Sequence, residues 1–97
     1  MKILHLHLKA QYFDEIKSGA KKLEYRLCEK WEKRLKGKSF DEIHLYRGYP
    51  KKSDESKKLV RIYIGYFRNK IIHPYFGILP VKLVAIPVWV KKKGGAI

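Results

Sequence analysis

The strongest constraint on the fold is the change in hydrophobic period near the start of the chain. Residues 2–8 place three leucines on one side of an extended chain and His5 and His7 on the other. Residues 10–18 then change to helical spacing, and Gly19 follows where a helix commonly ends in a left-handed residue. The pattern therefore predicts a half-buried strand that passes directly into a short helix.

Similar patterns alternate along the rest of the chain. Strands are predicted at residues 2–8, 21–28, 40–46, 58–67 and 81–90, and helices at residues 10–18 and 29–36. Pro87 indicates that the last strand lies at a sheet edge or contains a bulge. Because 97 residues cannot cover both faces of an open parallel sheet, five strands with a helix between the first two predict a small α+β barrel.

The chain shows no internal repeat and no domain boundary. Residues 1–90 are expected to form a single domain, and residues 91–97 a basic, flexible tail. No apolar run approaches the roughly 20 residues that span a bilayer, and the N-terminal alternation is unlike a secretory signal. Cys28 is the only cysteine, which excludes an intramolecular disulfide and a cysteine metal cluster. We therefore expect a cytoplasmic protein that does not enter a membrane.

The net charge of +14 is unevenly distributed. Residues 1–48 carry twelve Lys or Arg against seven Asp or Glu, whereas residues 49–97 carry eleven against two, and no acid follows Glu55. A field of one sign attracts polyanions and accelerates encounter with them. The alternative is a solvated, lysine-rich surface, such as thermophile composition produces, but this would not explain the missing acids. Nucleic acid is therefore the expected partner.

Residues 12–26 contain the most specific pattern. They read Tyr-Phe-Asp-Glu-Ile-Lys-Ser-Gly-Ala-Lys-Lys-Leu-Glu-Tyr-Arg, a short helix with aromatic and aliphatic residues, a Gly-x-Lys turn and a strand of the form Glu-x-Arg. This segment resembles the signature of ASCH domains, whose strand reads Glu-x-Arg or Thr-x-Arg. The first strand and the strand end at Tyr46-Arg47-Gly48 are also similar to the family. The resemblance is close over residues 3–27, extends to residue 48, and concerns only topology thereafter.

The resemblance implies a PUA-like β-barrel with a cleft beside the first helix, lined by Lys21, Glu24 and Arg26. Family members are thought to bind RNA, and some are hydrolases that act on RNA or on acylated nucleosides. The amidohydrolase-type members have Thr where this chain has Glu24, and they use a further Glu downstream. No acid follows Glu55, so the downstream carboxylate is missing unless the loop at residues 54–55 supplies it, which counts against that particular chemistry.

The chemistry of these three residues leaves several roles open. Glu24 and Arg26 lie two apart, on one face of the predicted strand, and a carboxylate between two cations should stay ionised and hold both in place. Lys21 and Arg26 would then bind a phosphate while Glu24 accepts from a base or sugar donor. Alternatively, Lys21 acts as nucleophile or base and Glu24 carries the proton, as in a small hydrolase. A purely structural ion pair is the third interpretation.

A second group of candidates follows the third strand. Tyr46, Arg47 and Tyr49 precede a lysine-rich loop at residues 51–58, and such interleaving allows aromatic rings to stack on bases while cations hold phosphates. Tyrosines that cap the end of a barrel are the alternative. Arg61 is expected to extend this ligand-binding surface. The opposite face of its strand would then be core, formed by Val60, Ile62 and Ile64.

No metal or cofactor is predicted. His5 and His7 share a strand face at a spacing that can chelate a metal, but neither His44 nor His73 stands at a spacing that supplies a third ligand. The expected partner is therefore nucleic acid, RNA above all, or a nucleotide-like ligand. The sequence leaves open whether the protein is an enzyme and what its oligomeric state is.

Overall fold

The computed structural model describes residues 1–71 and 80–92. These residues form six strands, two α-helices and one 3₁₀ turn. In chain order they are β1 (Ile3–Leu8), α1 (Ala10–Ser18), β2 (Leu23–Leu27), α2 (Cys28–Leu35), β3 (Glu42–Arg47), the 3₁₀ turn (Glu55–Lys57), β4 (Lys58–Ile62), β5 (Phe67–Ile71) and β6 (Val81–Pro87).

The strands form two three-stranded sheets. The first has the order β1-β3-β4, with β1 parallel and β4 antiparallel to β3, and the second has the order β2-β6-β5 with antiparallel pairs. The predicted α+β class is confirmed. Among the described residues, no strand pair joins the two sheets into a closed barrel, so the barrel stays a prediction.

The core lies between the two sheets, under α1. The alternation predicted for β1 is confirmed, because its leucines are buried while His5 and His7 are exposed. Phe13 and Ile16 are the buried residues of α1, which packs on β1 and β3. Both sheets and both helices contribute to one core cluster, made of Leu4, Leu6, Leu8, Phe13, Ile16, Leu35, Ile43, Leu45, Leu59, Val84, Ile86 and Val88.

Of the two alternatives that Pro87 indicated for the last strand, an edge position or a bulge, the edge position is wrong. β6 is the middle strand of its sheet, and its residues 83–86 are buried on both faces. Pro87 is tolerated because it is the final residue of the strand, where a missing N–H donor interrupts little of the ladder.

The strand predicted at residues 58–67 ends early, and a sixth strand that was not predicted follows it at Phe67–Ile71. β4 ends at Ile62, and β5 begins at Phe67 in the other sheet. Gly65 between them has φ of 106°, a left-handed conformation that side chains other than glycine rarely adopt. The chain therefore turns from one sheet to the other at this glycine.

Two further expectations concern membranes and the tail. Within the described ranges, no helix is long and apolar enough to cross a bilayer. Residues 93–97 of the predicted tail lie outside the described residues, whereas Lys92 at its start forms an ion pair with Glu42 of β3.

Candidate nucleic-acid interface

A cleft of about 220 Å³ opens where the edge strand β1 of one sheet meets the edge strand β2 of the other. Its polar lining includes Lys21, Glu24 and Arg26, the three residues that the sequence singled out. Sites for drug-sized ligands typically measure roughly 300–1,000 Å³. This cleft therefore has room for one part of a nucleotide, such as a phosphate or a single base, and not for several nucleotides.

The end of α1 places Lys21 at the mouth of this cleft. The N–H groups of Gly19 and Lys21 donate to the carbonyls of Ile16 and Glu15, at 3.1 and 3.0 Å, and so satisfy two carbonyls that the helix end leaves open. The Lys21 side chain is 14% exposed, and its Nζ lies 3.7 Å from Glu24 Oε1. The ammonium is therefore held beside the carboxylate at the transition from helix to strand.

Glu24 and Arg26 lie on the same face of β2 and are hydrogen-bonded to each other. Arg26 Nε donates to Glu24 Oε2 at 2.9 Å, and Arg26 Nη2 donates to the His7 carbonyl of β1, also at 2.9 Å. The guanidinium therefore bridges the two sheets at the back of the cleft. Two of its five N–H groups make these bonds, and a planar guanidinium with further donors suits a phosphate oxygen.

Glu24 is the most buried charged group of the cleft, with 7% of its side chain exposed. Burial raises the pKa of its carboxyl, and the neighbouring charges of Arg26 and Lys21 act in the opposite direction. The carboxylate thus has a cation on each side and is poorly hydrated. This arrangement suits either a counter-ion that orients two cations or a group that exchanges protons.

Aromatic rings form the walls of the cleft. Lys21 Nζ lies 5.0 and 5.2 Å from the ring centroids of Tyr12 and Tyr25, and the Arg26 guanidinium carbon lies 4.9 Å from the Trp31 ring centroid. Contacts of this kind hold a cation over a ring face. The cations are therefore fixed by rings as well as by Glu24, which makes the cleft a preorganised site for an anion.

Tyr46 and Tyr49 lie outside this cleft, on the outer face of the first sheet. Both rings stack on histidines of β1, and Tyr49 is 86% exposed. A second cavity beside them is lined by His7, Tyr46, Pro50, Lys51, Lys52, Asp54 and Lys58. His7 lines both cavities, so the two surfaces adjoin at this residue.

The two remaining candidate arginines do not join this surface. Arg47 is exposed, but its Nε and Nη2 donate to the Asp14 carboxylate of α1 at 3.2 and 3.4 Å. Arg61 is only 2% exposed and lines neither cavity, so the expectation that it extends the ligand surface is wrong. The opposite face of its strand is also less buried than expected, since Val60 and Ile62 are half-buried and Ile64 is 52% exposed.

The pairing of β4 with β3 explains this reversal. Arg61 lies opposite Ile43, and Ile43 belongs to the buried face of the first sheet. Burial lowers the pKa of Arg61, and Nη1 donates to the Val60 carbonyl at 3.0 Å. The alternation of β4 was predicted with the correct period but with the wrong face turned inward.

The sequence did not identify Tyr12 and Trp31 as cleft residues, and it left open whether His7 packs along the helix or faces the cleft. The carbonyl of His7 reaches the cleft only because β1 and β2 are brought together by tertiary packing. Tyr12 stands one turn before Ile16 on α1, and this spacing suggested packing alone. Trp31 offered one signal, its three-residue spacing from Arg34 on the predicted helix. In the structure the guanidinium carbons of Arg26 and Arg34 both lie within 5 Å of its ring centroid.

In the part of the chain that the structure describes, no three His, Cys, Asp or Glu side chains are grouped as metal ligands; His73 lies outside it. Comparisons with protein-family models, with curated proteins and with solved structures find no match to this chain.

Proposed function

We propose that this protein is a nucleic-acid-binding module that holds a phosphate of RNA in the cleft formed by Lys21, Glu24 and Arg26. The observation that carries the proposal is that two largely buried cations, Lys21 and Arg26, line one small cleft in a chain of net charge +14. Such a chain attracts polyanions over a long range, and the cleft then offers directional donors at short range. Glu24 acts as the counter-ion that orients both cations.

We propose RNA as the ligand, in place of other polyanions, because residues 12–26 resemble an ASCH domain. The same resemblance implies a PUA-like barrel, and both remain parts of the proposal. The mixed sheet, the helix between β1 and β2, and the cleft beside α1 are compatible with it.

A small hydrolase that acts on RNA or on a modified nucleoside is the alternative. The raised pKa of Glu24 and the 3.7 Å distance from its Oε1 to Lys21 Nζ favour proton exchange at this position. Against it, Glu24 is the single carboxylate among the described residues that line the cleft, and no acid follows Glu55 in the sequence. A mechanism that uses two carboxylates would therefore lack its second group.

Binding of fluorescein-labelled, mixed-sequence RNA at several salt concentrations tests the proposal. Lys21→Ala should weaken binding and make the slope of log K against log salt shallower by about 0.7, as expected when one contact to a single-stranded phosphate is lost. Lys38→Ala is the matched control, because Lys38 is exposed and lines neither cavity described above. Its substitution lowers the net charge by the same amount as Lys21→Ala. Equal effects of the two substitutions would show diffuse attraction and refute a phosphate site in the cleft.

A further inference from the structure

Four aromatic rings stack in a row on the outer face of the first sheet. Their order is His5, Tyr46, His7 and Tyr49, with centroid distances of 5.8, 4.8 and 4.3 Å and interplanar angles of 21°, 20° and 13°. We call this row the aromatic ladder. Two of these distances lie within the roughly 4.5–7 Å typical of offset stacking and the third is slightly shorter, so the near-parallel rings support one another.

Hydrogen bonds fix the orientation of the ladder. His5 Nδ1 and the Tyr46 hydroxyl are 2.8 Å apart, and His7 Nδ1 donates to the Gly48 carbonyl at 2.8 Å. Because a carbonyl only accepts, this second bond places a proton on His7 Nδ1. Gly48 has φ of 67° and turns the chain so that Tyr49 returns onto His7. The ladder is therefore preformed and does not need a ligand to order it.

Tyr49 is the last ring of the ladder and is 86% exposed. One face of its ring contacts His7, and the rest of the ring is open to stack on a ligand. Lys51 and Lys52 follow Tyr49 after Pro50 and line the adjacent cavity together with Lys58. Asp54 also lines it, but its carboxylate is paired with Lys57 at 3.4 Å. The surroundings of the ladder are therefore predominantly cationic.

We propose that the ladder continues into a bound nucleic acid: an unpaired base stacks on Tyr49 while Lys51 and Lys52 hold the adjoining phosphates. This inference rests on the proposed function, and it specifies the ligand as single-stranded. The cleft accepts one nucleotide part, and His7 joins the cleft to the ladder, so one strand can occupy both. A base within a duplex already stacks on its neighbours and cannot offer its face to Tyr49.

The test compares a fluorescein-labelled single-stranded RNA of about ten nucleotides, comparable with common single-strand site sizes, with the same RNA annealed to its complement. Tyr49→Ala should weaken binding of the single strand by roughly 5- to 150-fold, the loss expected for one stacked base. The salt slope should stay unchanged because no charge is removed. Tyr49→Phe, which keeps the ring, should retain most of the affinity. Lys51→Ala and Lys52→Ala should each make the salt slope shallower by about 0.7.

Phe67→Ala is the matched control for the loss of an exposed aromatic ring. Phe67 is 46% exposed on β5 of the other sheet and lines neither cavity, so its substitution should leave binding unchanged. If Lys21→Ala weakens binding but Tyr49→Ala behaves like wild type, the ladder proposal fails while the cleft proposal stands. If Tyr49→Ala loses the same affinity for the single strand and for the duplex, the ladder proposal also fails. If wild-type protein binds neither RNA, both proposals fail.

Discussion

Replacement of Glu24 by Gln separates the role of counter-ion from that of catalyst. The substitution keeps the shape of the side chain and removes its charge from between Arg26 Nε, 2.9 Å away, and Lys21 Nζ, 3.7 Å away. A phosphate bound by both cations would lie about 6 Å from the carboxylate, where the repulsion is about 0.7 kcal/mol in water and about 3 kcal/mol at an effective dielectric constant of 20. Because Glu24 is mostly buried, we expect a value between these limits, or RNA binding tighter by roughly 5- to 30-fold.

Fluorescence anisotropy with the labelled RNA at low salt measures this change. Glu29→Gln is the matched control, because Glu29 is exposed on α2 and does not line the cleft. Its substitution changes the net charge by the same amount as Glu24→Gln. Binding by Glu24→Gln that is weaker than wild type, with an unchanged fold, would refute a net repulsion between Glu24 and the bound phosphate. It would mean that Glu24 contributes more by orienting Lys21 and Arg26, or by accepting a hydrogen bond from the ligand, than it costs by repelling the phosphate.

The same variant has a pH signature in its stability. Since burial raises the pKa of Glu24 in the folded protein, the folded state holds this proton to higher pH than the unfolded chain does. The contribution of Glu24 to the free energy of unfolding is thus complete below its unfolded pKa and is lost as the pH rises through its folded pKa. The stability of Glu24→Gln relative to wild type should therefore increase from pH 4 toward pH 7 in denaturant titrations. A difference that does not change with pH would contradict the raised pKa.

Three further predictions concern other parts of the molecule. Burial and the neighbouring charge of His44 lower the pKa of His5, so its ring should titrate below the ordinary value of 6.5 in NMR spectra. Stability that depends on the neutral ring should be lost as the pH falls through this lowered pKa. A titration midpoint at or above 6.5 would contradict the prediction. Arg61→Ala should lower the free energy of unfolding by on the order of 2 kcal/mol in urea titrations, because its packed stem is lost, and should leave the salt slope of RNA binding unchanged. A shallower salt slope of RNA binding in Arg61→Ala would instead indicate that Arg61 contacts the RNA. Phe13→Ala, in the core under α1, should cost about 3–5 kcal/mol in the same assay, and a loss below about 1 kcal/mol would mean that α1 is not packed as described.

The first half of the fold was predictable because its signals are local. The leucines of β1 and the end of α1 before Gly19 are determined by neighbours a few residues away, and both were predicted correctly. β4 was less predictable because both of its faces carry branched aliphatic residues. The face that turns inward is selected by the pairing of Arg61 with Ile43, a contact between distant parts of the chain.

The candidate site divides along the same line. The spacing of Glu24 and Arg26 along one strand indicated that they would act together, and the structure brings them together with Lys21. The contributions of His7 and Trp31 depend on how two sheets and a helix meet, which no local period encodes. Of the aromatic ladder, the sequence indicated only Tyr46 and Tyr49, because the two histidines come from β1, a parallel strand distant in the chain.

The most direct test of the central proposal is incubation of the purified protein with end-labelled, mixed-sequence RNA at low and moderate salt, followed by native and denaturing gels, with Lys21→Ala run alongside. We expect a mobility shift that weakens with salt and with Lys21→Ala, together with RNA that remains intact on the denaturing gel. Shortened products that disappear in the variant would instead make the protein a nuclease. If the gels show no mobility shift and no cleavage, RNA binding is contradicted altogether.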